Sequence, residues 1–130
     1  MDRLSERLAV ARQAPQTLQE VLAMEKSPVV RDAAKQRFEY TFEATWKAAQ
    51  LFQSQREGVE GGSPKGVVRA CFQSGILAED QARTAMDMAE DRNLTVHTYN
   101  EQLAEAIYGR LREYREVMDH WLAAMERRAP

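Results

Sequence analysis

The sequence is short of the residues that build metal cages, disulfides and catalytic dyads. It has one cysteine, Cys71, and two histidines, His97 and His120, in 130 residues. A lone cysteine closes no intramolecular disulfide and leaves no cysteine cage for zinc, which excludes stapled secreted scaffolds and fits a reducing compartment. Neither histidine stands in Glu-x-x-His or His-Glu-x-x-His spacing, which argues against a di-iron centre in a helical bundle. Six glycines are present, but Gly58, Gly61 and Gly62 lack the preceding strand and the following Lys-Ser/Thr of a phosphate loop. Charge of one sign is also missing: 18 basic against 20 acidic side chains give a formal net charge of −2. Such a chain has no global pull toward nucleic acid or anionic membrane, and any such contact must be local. No run approaches the ~18 apolar residues of a membrane span. Met1 to Val10 interleaves charged and apolar residues, unlike the apolar core of a signal peptide. The expectation is a cytoplasmic protein with no membrane span, no cofactor and no metal.

What is present is ordinary globular material, 44% hydrophobic and 29% charged, with enough length for one domain over residues 1–130. Its period is helical, and strand alternation is nearly absent. Leu4, Leu8, Ala11, Leu18 and Leu22 fall at helical spacing over residues 1–27, with Pro15 interrupting. Proline removes a backbone donor and clashes with the preceding turn, so a kink or a second helix starting at Pro15 is expected. Ser27-Pro28 is a cap followed by proline at the first helical position. The helix it opens carries Val30, Ala34, Phe38, Phe42, Ala49 and Phe52 and runs to about Arg56. The glycine-rich stretch from Glu57 to Ser63 is a loop. Ser63-Pro64 repeats the start signal for a short helix with Val67, Val68, Cys71 and Phe72 inward and Gly75 at its end. A further helix is expected from Glu79 or Asp80 to about Leu94, with Ala82, Met86 and Ala89 inward. Thr98 to Glu101 reads as a capping box, with Asn100 as the rival cap. The last helix carries the stripe Leu103, Ile107, Leu111, Tyr114, Met118, Trp121 (or Leu122) and Met125. The sum is an all-α, antiparallel, up-and-down four-helix-type bundle with an additional short helix. Its length favours side-by-side dimerisation.

Chemistry is left to one polar segment, Asp91 to Asn100, treated as a motif loop over residues 92–100. Arg92 and His97 are five apart, which on a continuous helix turns through about 140°. They converge only if the helix stops between them, and β-branched Thr95 and Val96 are the expected place. His97 then lies beside the N-terminus of the last helix, where unpaired N–H groups favour a phosphate. Arginine offers a bidentate fork to phosphate oxygens. Histidine titrates near neutrality and moves a proton to or from a ribose 2′-OH or its leaving oxygen. Against this, an Arg–His pair at such a distance is common by chance, and a histidine at a helix start is often only a cap.

The blocks around this segment resemble a known family. Arg92-x4-His97-x-Tyr99 resembles the Arg-x4–6-His motif of HEPN domains. The added tyrosine is similar to the HepT branch, the nucleotidyltransferase substrate-binding proteins. "QRFEYTFEATWK" (Gln36 to Lys47), "SPKGVVRACFQSGIL" (Ser63 to Leu77) and "YGRLREYREVMDHW" resemble further family segments in the same order. The resemblance covers roughly Asp32 to Leu122. It implies a homodimeric helical bundle with two Arg/His pairs facing one cleft. It further implies a metal-independent ribonuclease toxin of a toxin–antitoxin pair, with RNA at the dimer cleft. The implied partner is an MNT-type nucleotidyltransferase, the antitoxin, which transfers AMP to the motif tyrosine, here Tyr99. In that scheme Arg92 and His97 are catalytic and Asn93 helps hold the phosphate. The alternative is a non-catalytic substrate-binding subunit of a two-component nucleotidyltransferase.

Other residues have plainer readings. Phe38, Phe42 and Trp46 read as core or dimer interface. Glu43 and Lys47 form an intrahelical pair worth about 0.3–0.5 kcal/mol, unless Arg37, Glu39 and Glu43 pair across a dimer. Cys71 reads as a small core residue and His120 as a surface or packing residue. Arg110, Arg112 and Arg115, offset by Glu113 and Glu116, read as a solvated face.

Overall fold

The computed structural model of the protein describes residues 2–97 and 100–128, with the backbone alone for residues 95–97. Among the described residues there are six α-helices and no strand: α1 (Arg3–Ala11), α2 (Ala14–Leu22), α3 (Pro28–Phe52), α4 (Pro64–Gln73), α5 (Glu79–His97) and α6 (Glu101–Arg128). A π-helical turn, Gln53–Glu57, continues α3.

The helix starts follow the local chemistry of the sequence. Ser27 and Ser63 are both extended and accept from the backbone N–H three residues on, Val30 and Gly66, each followed by proline where the helix lacks a donor requirement. Pro15 sits in the first turn of α2, so the N-terminal arm is two helices broken at Arg12–Gln13 rather than one kinked helix. Gly58 and Gly75 take left-handed backbone (φ 69° and 82°), the conformation that ends a helix with least strain when no Cβ is present. Asn100 caps α6, its Oδ1 accepting from Leu103 N at 3.0 Å. The rival cap therefore takes the role expected of Thr98.

Ion pairs fix the direction of each helix. Arg12 meets Asp119 and Glu126, Arg112 donates to the Leu22 carbonyl, and Lys26 meets Glu105, so the arm runs antiparallel to α6. Arg37 donates to the Thr17 carbonyl while Arg56 meets Asp2, so α3 is antiparallel to the arm. Arg31 near the start of α3 meets Glu105, and Glu57 after its end meets Arg128, so α3 runs parallel to α6. The pairs Thr84–Glu113 and Asp91–Arg110 make α5 antiparallel to α6. This is an up-and-down four-helix bundle of arm, α3, α5 and α6, with α4 as the additional short helix.

One apolar cluster fills it. Trp121, Phe38, Phe42, Phe52, Leu18, Leu111, Met118 and Leu122 are fully buried. The Phe38 ring tilts against Phe42 and Tyr114 at centroid distances of 6.2 and 5.5 Å, within the range where aromatic pairs attract. Cys71 is buried as expected, with its Sγ 3.4 Å from the Trp121 indole Nε1. Two inward faces differ from expectation. Phe72 is 46% exposed. On α5 the buried residues are Ala85, Met88, Ala89 and Asp91, while Ala82 and Met86 are only half-buried. The face is rotated so that an acid points inward. No described helix is long and apolar enough to cross a membrane.

Candidate active site

The segment expected to hold the site begins on α5, and the backbone there corrects the expectation. The helix does not stop near Leu94. It continues through Thr95 and Val96 to His97, so residues 92–97 are helix rather than loop. The helix penalty of β-branched residues is only a few tenths of a kcal/mol, and no glycine or proline intervenes to end the helix. Within one chain the backbone positions of Arg92 and His97 are therefore about 140° apart around the α5 axis. The side chain of His97 and the whole of Tyr99, with Thr98, lie outside the described residues. Asn93 is exposed beside Arg92.

Arg92 is set between α5 and α3. Its side chain is one-third exposed and its Nε lies 3.5 Å from Glu43 Oε2, the Nε atom itself being shut off from solvent. Glu43 is held on both oxygens by its own helix. Trp46 Nε1 donates to Oε2 at 3.0 Å, and Lys47 Nζ lies 3.4 Å from Oε1. The expected Glu43–Lys47 pair is thus present, and Arg92 is the additional partner that helical spacing alone does not reveal.

The residue before Arg92 anchors the end of α5 to α6. Asp91 is 6% exposed. Its carboxylate accepts a forked pair from Arg110, Nε to Oδ2 at 3.0 Å and Nη2 to Oδ1 at 3.3 Å, and a third bond from Tyr114 Oη at 2.6 Å. A buried carboxylate is tolerated when it is charge-paired and hydrogen-bonded in this way. Burial and then the Asp91 hydrogen bond push the Tyr114 phenol far above the usual range. Burial works against the Arg110 charge, but the Asp91 carboxylate outweighs it and raises the guanidinium above its ordinary value. Arg110 and Arg112 are exposed, as expected of a solvated face, and Arg115 is half-buried; each also has a partner, in Asp91, the Leu22 carbonyl and Asp119. The spacing gives no signal for this network, because Asp91 falls off the Ala82, Met86, Ala89 face expected to turn inward.

The start of α6 is tied down as well. Arg31, 4% exposed, places Nη1 3.0 Å from Glu105 Oε1 and 3.5 Å from Glu101 Oε1, and Lys26 binds the other Glu105 oxygen. Hydrogen bonds from Lys26 and then Arg31 hold the Glu105 carboxyl below its usual range. Both helices that flank residues 98–100 are thus clamped by ionic contacts. The second histidine, His120, is exposed and lines an open groove of about 440 Å³ with Arg12, Gln16, Glu116 and Asp119, away from Arg92 and Asn93.

Comparison with known proteins agrees with this architecture. Residues 6–127 match the family described as nucleotidyltransferase substrate binding protein like. A solved structure from Thermus thermophilus is 52% identical and superposes with a TM-score of 0.84, covering 88% of this chain and 98% of that one. A tri-AMPylated HEPN toxin from Shewanella oneidensis in complex with MNT antitoxin superposes with a TM-score of 0.80 at 14% identity, covering 97% and 98% of the two chains. A toxin–antitoxin structure with AMP-PNP gives 0.77 at 14% identity over 97% and 98%. At that identity the likeness is one of fold. No curated protein sequence matches the chain. The chain shares its fold with the HEPN toxin and belongs to the nucleotidyltransferase substrate binding protein like family.

Proposed function

We propose that this protein is a HepT-like HEPN toxin of a cytoplasmic toxin–antitoxin pair: a metal-independent ribonuclease, neutralised when an MNT nucleotidyltransferase transfers AMP to Tyr99. The observation that carries this reading is the complete Arg92-x4-His97-x-Tyr99 motif in a chain of this family, with Arg92 one-third exposed and its Nε beside Glu43.

In the proposed mechanism His97 takes the proton of a ribose 2′-OH. The 2′ oxygen attacks the adjacent phosphorus, the P–O5′ bond breaks, and the departing 5′ oxygen is protonated. The products are a 2′,3′-cyclic phosphate and a 5′-OH. Arg92, with Asn93 beside it, holds the phosphate and offsets the charge that grows on its oxygens. Histidine titrates near neutral pH and serves in both proton steps. Because α5 is continuous, a homodimer that faces two α5 helices across one cleft supplies the convergence that a single helix does not. AMP on Tyr99 adds a bulky anion two residues from His97, which competes for Arg92 and repels an RNA phosphate.

A second reading is a non-catalytic subunit that binds substrate for a two-component nucleotidyltransferase, which the family name, nucleotidyltransferase substrate binding protein like, favours. Expression without the neighbouring gene separates the two. The toxin reading expects wild type to arrest growth and His97→Ala not to, and equal growth overturns it. Incubation with ATP, magnesium and the adjacent transferase is expected to add AMP mass to wild type but not to Tyr99→Phe. No gain, or a gain that survives the substitution, removes the modification claim. The adjacent gene is expected to encode the Gly-Ser-x10-Asp-x-Asp pattern of a small transferase.

A further inference from the structure

We propose that Glu43 is the positioning residue of this site, the carboxylate that sets how α5 presents Arg92 to a phosphate. The inference rests on the reading above that Arg92 holds the scissile phosphate, and it adds a residue from another helix to the 92–99 motif.

Glu43 is itself fixed before it meets Arg92. Trp46 Nε1 and Lys47 Nζ approach its two oxygens at 3.0 and 3.4 Å. Trp46 in turn packs against the apolar cluster. The carboxylate is therefore referenced to the core through α3, not left on a free side chain. Its Oε2 then lies 3.5 Å from the solvent-shielded Nε of Arg92. That separation is an ion pair and longer than a charge-assisted hydrogen bond. The carboxylate charge draws the Nε edge of the guanidinium toward α3 and so biases the orientation of its fork, the group that recognises phosphate bidentately. On the other side, Asp91 locks the same turn of α5 to Arg110 and Tyr114 on α6. The backbone and side chain of Arg92 are thus held from two different helices.

Glu43 and Arg92 are each about one-third exposed, 37% and 33%, and pairs this open contribute little to stability. Their removal therefore separates positioning from folding. Glu43 also competes with the substrate for the Arg92 charge. Its loss is expected to leave RNA binding unchanged or tighter while turnover falls, because a displacement of about 1 Å at a reacting group costs about 100-fold.

The test compares Glu43→Ala and Glu43→Gln with Arg83→Ala. Arg83 sits earlier on α5 in an exposed pair with Glu79 and serves as a control on the same helix. Two quantities are read: kcat and KM for an RNA oligonucleotide, and the NMR signal of the Arg92 Nε–H, assigned with Arg92→Lys. Glu43→Ala is expected to lower kcat roughly 10- to 100-fold without raising KM, and to lose or broaden the Nε–H signal. Glu43→Gln, which keeps an acceptor oxygen for Trp46 and Arg92, recovers part of kcat, and Arg83→Ala matches wild type. A wild-type kcat or an unchanged Nε–H signal in Glu43→Ala overturns the proposal. If the wild-type protein cuts no RNA, the ribonuclease reading falls, and the Nε–H signal still decides whether Glu43 holds Arg92. Should Glu43→Ala fail to fold, the near-isosteric Glu43→Gln decides on both readouts, with wild-type values overturning the proposal.

Discussion

Two acids, Asp91 and Glu43, bear on the placement of Arg92, one by tying the end of α5 to α6 and one by its contact with the guanidinium. The role of Asp91 can be checked by stability. Tyr114→Phe removes a buried hydrogen bond to a charged group, and urea denaturation is expected to show a loss of about 1.5–3 kcal/mol. Asp91→Asn keeps the size but drops the charge facing Arg110, and a loss of about 1–3 kcal/mol is expected. Cys71 gives a pH signature. Burial pushes its thiol from 9.0 up to about 11. Above pH 9 the unfolded chain ionises this group while the folded chain still holds the proton. Stability contributed by the neutral thiol is therefore complete below pH 9 and lost as pH rises to 11. Denaturation at pH 8, 9.5 and 11 is expected to show this fall, and Cys71→Ala is expected to flatten it up to the point where Tyr114, raised in the same direction, takes over. At pH 8 the folded thiol is expected to resist alkylation until the chain unfolds. Of the residues around the candidate site, Arg92 stands out in the sequence, because arginine and histidine in a polar gap are types suited to phosphate chemistry. Its supports do not, because Glu43 comes from α3 and the partners of Asp91 from α6, and contact between helices leaves no pattern along the chain. Asp91 also sits on the side of α5 that the apolar spacing assigns to solvent.

At the scale of elements, starts are easier to read than ends. Both Ser-Pro pairs start helices because cap and proline act within one turn. Gly75 ends α4 for an equally local reason, its positive φ. The end of α5 is not legible, because weak helix formers do not stop a helix that lacks a breaker. The π-helical turn after Phe52 is also invisible in the sequence: it carries Gln53 into the interior, where Nε2 reaches Ser74 Oγ at 3.0 Å, a contact set by α4 and not by spacing along α3. Caps give the clearest element-level prediction. Ser27→Ala and Asn100→Ala are each expected to cost about 1 kcal/mol in a thermal or urea melt. Only Asn100→Ala is expected to slow RNA cleavage as well, because it loosens the start of α6 next to the motif. Equal activity of the two variants at a temperature where both are folded would contradict that.

At the scale of the whole molecule, the bundle is legible because its stripes are long and nearly uninterrupted. The way two copies meet is not, since an interface face and a solvated face share their composition. The outward stripe of α3 carries Val29, Gln36, Tyr40, Glu43 and Lys47, with Val29 and Tyr40 strongly exposed. Light scattering is expected to give twice the chain mass, and a monomer at micromolar concentration would contradict the shared-cleft mechanism. In the proposed dimer the near-neutral charge restricts where RNA would bind without forbidding it: two Arg92 residues facing one cleft would make a local positive site on chains of net charge −2 each. Raising the salt is accordingly expected to weaken RNA binding with a shallow slope, a few phosphate contacts and not the roughly ten of a basic nucleic-acid binder. The most direct measurement is cleavage of RNA by the purified chain in EDTA, with product ends identified by mass. Wild type is expected to leave 2′,3′-cyclic phosphate ends, and Arg92→Ala and His97→Ala to leave the RNA intact. Intact RNA with the dimeric, unmodified wild-type protein, or equal cleavage by all three, would contradict the assignment.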